Sequence, residues 1–173
     1  MTCIHCETIE KGETLFENEY VVVFLAQKPA TEGHIIVAPK RHVAIIEQLE
    51  DWEMAQLATL SNTFSVQAFE KLGAHGTNIL IQNGVSAGQT IPHVSVHVLP
   101  RKDKDGLSLQ WEPKQIGQED INNIADILKE ECKSIGKFSL EPRKEEKKEE
   151  KEIQKPSLSG KENYMIKAMR RMP

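Results

Sequence analysis

The sequence is short of several things that would place it quickly. Aromatic residues make up 5% of its 173 positions, cysteines number three, and neither sign of charge dominates at a net −4. Three cysteines are an odd number and do not read as a disulfide framework; a reducing compartment suits them better. A near balance of charge excludes a general nucleic-acid binder, which would present a basic surface. No apolar run approaches the length of a membrane span, so no membrane partner is expected. The opening stretch "MTCIHCETIEKGE" lacks the apolar region of a secretory signal. These absences together point to a cytoplasmic protein.

What is present divides into three stretches. Residues 1–136 have the make-up of one ordinary domain. Within it, 18–27 and 34–39 are dense in β-branched and aromatic residues and predict two strands of an antiparallel hairpin, turned by "KPATEG". Apolar residues from Leu49 to Leu72 recur at a helical period, which predicts a helix over about 50–72 ended by Gly73. "TNILIQN" (77–83) and His93–Leu99 predict two more strands, and "LSLQW" (107–111) a short fifth. A helix is expected over 118–135, with Glu119 and Asp120 in its first turn and Ile121, Ile124, Ile127 and Leu128 on one face. Residues 137–162 contain ten consecutive charged residues, Arg143 to Glu152. Such a run cannot bury a core and is a linker or a solvated helix. Residues 163–173 return to apolar and basic character.

Two clusters carry chemistry. "CIHC" places Cys3 and Cys6 at a spacing that offers two thiolates to a tetrahedral metal, or leaves two free surface thiols. Cys132, alone in a predicted helix, reads as a buried thiol. The second cluster is the strand His93-Val-Ser95-Val-His97. Alternation sends His93, Ser95 and His97 to one face and the valines to the core. That polar row faces either solvent or a ligand. The loop "QNGVSAGQT" before it is rich in glycine and small polar residues, and can bring backbone N–H groups to an anion.

From Cys3 to about Trp111 the chain resembles the histidine-triad (HIT) family of nucleotide hydrolases and transferases. The resemblance rests on "GQT" (88–90), "HVSVHVL" (93–99) followed by "PR", "EGHIIVAPKRH" (32–42) and "CIHC". It implies an α+β fold, with a five-stranded antiparallel sheet, two main helices and usually a homodimer. It implies a structural zinc held by Cys3, Cys6, His42 and His93. It implies a purine mononucleotide or dinucleoside polyphosphate as ligand. Gln82 would lie beside the α-phosphate, with Gly88, Gln89 and Thr90 forming its cradle. His97 would support the phosphoryl oxygens, and His34 would orient the nucleophile.

Two departures qualify that picture. The family's nucleophile is the middle triad histidine, and here that position is Ser95. The acceptor that usually grips the ribose hydroxyls falls at Ala26, while Gln27 beside it is expected to point the other way. A serine hydroxyl needs a base, and a phosphoserine ester is far harder to cleave than a phosphoramidate. Four readings follow: a nucleotide-binding protein weakened or silent by the covalent route, a hydrolase using direct water attack with His97 or His34 as base, an introduced active-site substitution, and a zinc-stabilised interaction scaffold. The coincident loss at Ala26 argues against an introduced change. The apolar and basic tail is expected to dock near the partner's nucleotide pocket. Deleting residues 163–173 should then weaken nucleotide binding, and an unchanged affinity would overturn that expectation.

Overall fold

The computed structural model describes residues 3–133, 135 and 136. The charged run and the tail expected to dock lie outside the described residues. The elements are α1 (Ile4–Lys11), β1 (Phe16–Glu17), β2 (Val21–Leu25), β3 (Ile35–Pro39), α2 (Asp51–Leu72), β4 (Gly76–Ile81), β5 (Val96–Arg101) and α3 (Gln118–Cys132). The strands form one antiparallel five-stranded sheet in the order β1-β2-β3-β5-β4. This is the α+β architecture expected, although with three helices where two main ones were anticipated.

The differences are local and have reasons. β1 and α1 were not foreseen. β1 is two residues long, and α1 has too few apolar positions to show a clear period. "LSLQW" forms no strand. α3 stops at Cys132, whose thiol is exposed rather than buried. Its apolar stripe is present, but Ile121, Ile124, Ile127 and Leu128 are 44–65% exposed. The triad strand starts at Val96 rather than His93. Ladder pairing with β3 runs only from Val98 to Val96. Its next turn would need an N–H from Pro39, which has none. The Val94 N–H bonds the Val43 carbonyl instead, at 2.7 Å.

The period of two sorts the sheet into two faces. Val21, Val23, Ile35, Val37, Val94, Val96 and Val98 pack with Leu57 of α2. The alternate residues Val22, Phe24, Ile36 and Ala38 form a second cluster with Ile9 of α1. Thus the valines between the triad positions do enter the core, and the triad side chains share the face under α1. Burying that many aliphatic side chains supplies most of the driving force, at about 25 cal/mol per Å².

α2 is well specified at both ends. Glu50 and Glu53 form a reciprocal capping box, and Gly73 closes the helix in the left-handed region at φ 63°. Glu53 is also the anchor of the loop that follows β3. Arg41 grips it with Nε at 2.8 Å and Nη2 at 2.6 Å, and the same Nη2 donates to the Gln48 carbonyl. Glu53 is 5% exposed. Removing Arg41 leaves the buried carboxylate with the Glu50 N–H as its remaining charge-stabilising bond. Arg41→Met should therefore cost about 3 kcal/mol in urea unfolding. Adding Glu53→Gln, which keeps the capping bond without the charge, should recover most of it. A loss below about 1 kcal/mol for the single variant would mean that water reaches the carboxylate.

Candidate functional site

Four ligand atoms converge where α1, the loop after β3 and the segment before β5 meet. Cys3, Cys6, His42 and His93 place their donor atoms within 4.8 Å of one another. Cys3 Sγ and Cys6 Sγ each lie 3.5 Å from His93 Nδ1, and Cys6 Sγ lies 3.4 Å from His42 Nδ1. With zinc–sulfur and zinc–nitrogen bonds near 2.3 and 2.05 Å, the S···N edge of a tetrahedron is about 3.5 Å. The donor set fits zinc in type, number and spacing. His93 is fully buried, and its Nε2–H donates to the Pro39 carbonyl at 2.9 Å. That bond leaves Nδ1 as the free lone pair and fixes the ring, as outer-shell bonds to ligating histidines do. Burial and the neighbouring Cys3 push the Cys6 thiol up to about 11. A divalent cation would replace both thiol protons.

The triad residues are joined by a directed chain of hydrogen bonds. Ile36 stands opposite His97 in the ladder, so His34 and His97 face the same side of the sheet. The Ala30 N–H donates to His34 Nδ1 at 3.1 Å. That nitrogen is thereby the acceptor, and neutral His34 carries its proton on Nε2. His34 Nε2 lies 3.0 Å from His97 Nδ1, to which it donates. His97 then carries its proton on Nε2, 3.3 Å from Ser95 Oγ. Both rings are neutral at pH 7: burial, with His97 adding, pushes His34 down to about 4, and burial lowers His97. The nitrogen facing Ser95 therefore bears a hydrogen. It can donate to the hydroxyl but cannot take its proton. Ser95, His97 and His34 are brought together as expected, in an arrangement that leaves the serine without a base.

Beside this chain lies a cavity of about 330 Å³, lined among others by Ile4, Thr8, Phe24, Ile36, His34 and His97. A smaller recess is formed by Gln82, Gln89, Thr90, Ile91, Ser95, His97 and His5. Gly88 adopts φ +87°, and a Cβ there would sit 2.6 Å from Gln82 Nε2, so the glycine permits the loop to close over the Gln82 amide. Gln89 lines the recess, and its side chain is engaged within the loop. Its Oε1 accepts from Gly84 N–H, and its Nε2 donates to the Ala44 and Ile91 carbonyls. The side chain braces the loop. Ala26 lines the cavity without an acceptor, but Gln27 lines it too and donates to Thr8 Oγ1. The expectation that Gln27 points away fails because β2 ends at Leu25 and the alternation ends with it. His5 was missed altogether. It is 7% exposed and reaches both the cavity and the recess. The signal was an imidazole inside the Cys-x-x-Cys turn.

The buried neutral state of His34 makes stability pH-dependent. The unfolded chain protonates His34 below about 6.5, whereas the folded chain holds it neutral to about 4. Across that window the unfolded state binds more protons. The contribution is complete above pH 6.5 and is lost as pH falls towards 4, by up to about 3 kcal/mol. Between pH 7 and 4.5 the unfolding free energy from urea titration should fall further in the parent than in His34→Gln, by about 2 kcal/mol. Equal falls in the two proteins would show that the His34 ring stays solvated.

Comparison with known proteins bears on the same residues. Residues 8–104 match the HIT domain model. An uncharacterized HIT-like protein of Methanocaldococcus jannaschii is 33% identical over 132 residues, 74% of this chain and 97% of its own. The adenosine 5'-monophosphoramidase of Schizosaccharomyces pombe is 29% identical over 138 residues, 77% of this chain and 100% of its own. Among solved structures, a zinc-bound histidine triad family protein from Mycobacterium smegmatis superposes with a TM-score of 0.59 at 28% identity, covering 78% of this chain and 99% of that one. With the fold, the directed histidine chain and these similarities in agreement, the chain belongs to the HIT domain family.

Proposed function

We propose that this protein binds a nucleotide, as a purine mononucleotide or dinucleoside polyphosphate, and is silent or nearly so by the covalent route of its relatives. One observation carries the reading. Ser95 stands at the nucleophile position and receives a hydrogen bond from His97, so no group withdraws its proton. Loss of a nucleophile elsewhere has cost on the order of 10⁶ in kcat. That is roughly 8 kcal/mol, more than residual phosphate contacts restore. The apolar cavity suits a base and sugar, and the recess with Gln82, Thr90, Ser95 and His97 suits a phosphate.

Cys3, Cys6, His42 and His93 would hold zinc as a closed structural site, with no position left for substrate. When bound, zinc would tie the α1 turn and the loop after β3 to the triad segment. A homodimer and a cytoplasmic setting belong to the same proposal. The exposed stripe of α3 supports the first. The free cysteines support the second, and no described helix is long and apolar enough to cross a membrane.

Water attack is the second reading, and the hydrogen-bond chain disfavours it. The acceptor nitrogens of His34 and His97 are both occupied, by Ala30 N–H and by His34. The scaffold reading is disfavoured by a cavity that the described side chains leave open. Release of nucleoside monophosphate from an adenosine phosphoramidate and a diadenosine polyphosphate decides among them. The zinc-loaded parent should bind AMP with turnover at background, while Ser95→His should gain at least about 10³-fold. Parent turnover that survives Ser95→Ala and is abolished by His97→Ala would establish a water-attack enzyme instead.

A further inference from the structure

His5 occupies an unusual place. It is the second residue of α1 and lies between two of the four metal-ligand candidates. Its ring packs edge-on against Phe24, at a centroid distance of 5.4 Å, and against His93 at 5.7 Å. The side chain is 7% exposed, yet Nε2 has no hydrogen-bond partner. Native folds rarely leave a buried polar atom unsatisfied, and where they do a ligand or function commonly completes it. A phenyl ring would fill the same space against Phe24 and His93 without that cost, so packing alone does not account for an imidazole.

The position of the ring says what would complete it. His5 lines both the apolar cavity and the recess that holds Gln82, Thr90, Ser95 and His97. A molecule lying across both must pass it. On the recess side the neighbours offer hydrogen-bond donors: the Thr90 and Ser95 hydroxyls and the Gln82 amide. That set matches the acceptor oxygens of a phosphoryl group. We propose that His5, in its Nε2–H tautomer, is a ligand-binding residue that donates to a non-bridging oxygen of the bound nucleotide's α-phosphate. The inference rests on the nucleotide-binding reading and adds a phosphate contact from the metal-binding turn. Order in that turn is thereby linked to order in the phosphate site.

The test is isothermal titration of the zinc-loaded full chain with AMP and with adenosine, which lacks the phosphate. His5→Phe keeps the ring packing and removes the nitrogen. His5→Gln keeps an N–H near the same place. His5→Phe should weaken AMP about tenfold, the loss of one charge-assisted hydrogen bond, and leave adenosine within about twofold. His5→Gln should recover most of the AMP affinity. Zinc stoichiometry equal to the parent's shows that the variants keep the fold. AMP affinity unchanged in His5→Phe overturns the inference, and so does an equal loss for AMP and adenosine. Failure of the parent itself to bind AMP would sink the nucleotide reading rather than the assignment of His5.

Discussion

The register between β3 and β5 is the constraint on which the rest of the site depends. Ile36 stands opposite His97 and Val37 opposite Val96. This pairing turns His34 and His97 to one side of the sheet and their valine neighbours to the other. A slip of one residue would carry the valines out of the core and the imidazoles into it. The valine cluster on α2 therefore holds the histidine chain in register from the opposite face. Packing that contains no chemistry fixes the geometry of the residues that do.

That geometry gives the substitution at position 95 its meaning. The direction of the chain is set at its far end by a backbone amide, the one donor that cannot reverse. From Ala30 N–H through His34 and His97, each ring accepts on one nitrogen and donates from the other. A ring at the end of such a relay presents a hydrogen. A neutral imidazole at position 95 has a single ring lone pair and needs no base before it attacks. A hydroxyl there accepts the relay's hydrogen and keeps its own proton. The same scaffold thus leaves a serine at position 95 without a base.

The cysteine and histidine cluster and the cavity share their walls. His93 joins the cysteine and histidine cluster at one end of the triad segment while Ser95 and His97 face the recess at the other. α1 and the Cys3 that caps it supply two thiols to the cluster, and α1 supplies Ile4, His5 and Thr8 to the cavity. Arg41, on the loop that carries His42, is held by the buried Glu53 of α2. Order in the N-terminal turn is therefore also order in the binding site.

Much of this was legible in the sequence because its signals are local. Alternation at His93–His97 shows the faces, helical period and Gly73 show α2, the motifs carry the resemblance to the family, and the resemblance implies the four ligand candidates. The same locality explains the misses. The strand was drawn back to His93 because the absent N–H of Pro39, on another strand, is what ends the ladder. Gln27 was turned the wrong way because alternation was carried past the end of β2. That the Gln89 side chain braces its own loop depends on the distant carbonyl of Ala44, which no local pattern shows. His5 drew no attention because nothing beside it in the chain shows that Phe24 and His93 enclose its ring. Composition and period thus determined which residues face the core and which chemistry is available. Only the tertiary structure decided which nitrogens carry protons and which buried atom lacks a partner, since both depend on donors distant in sequence.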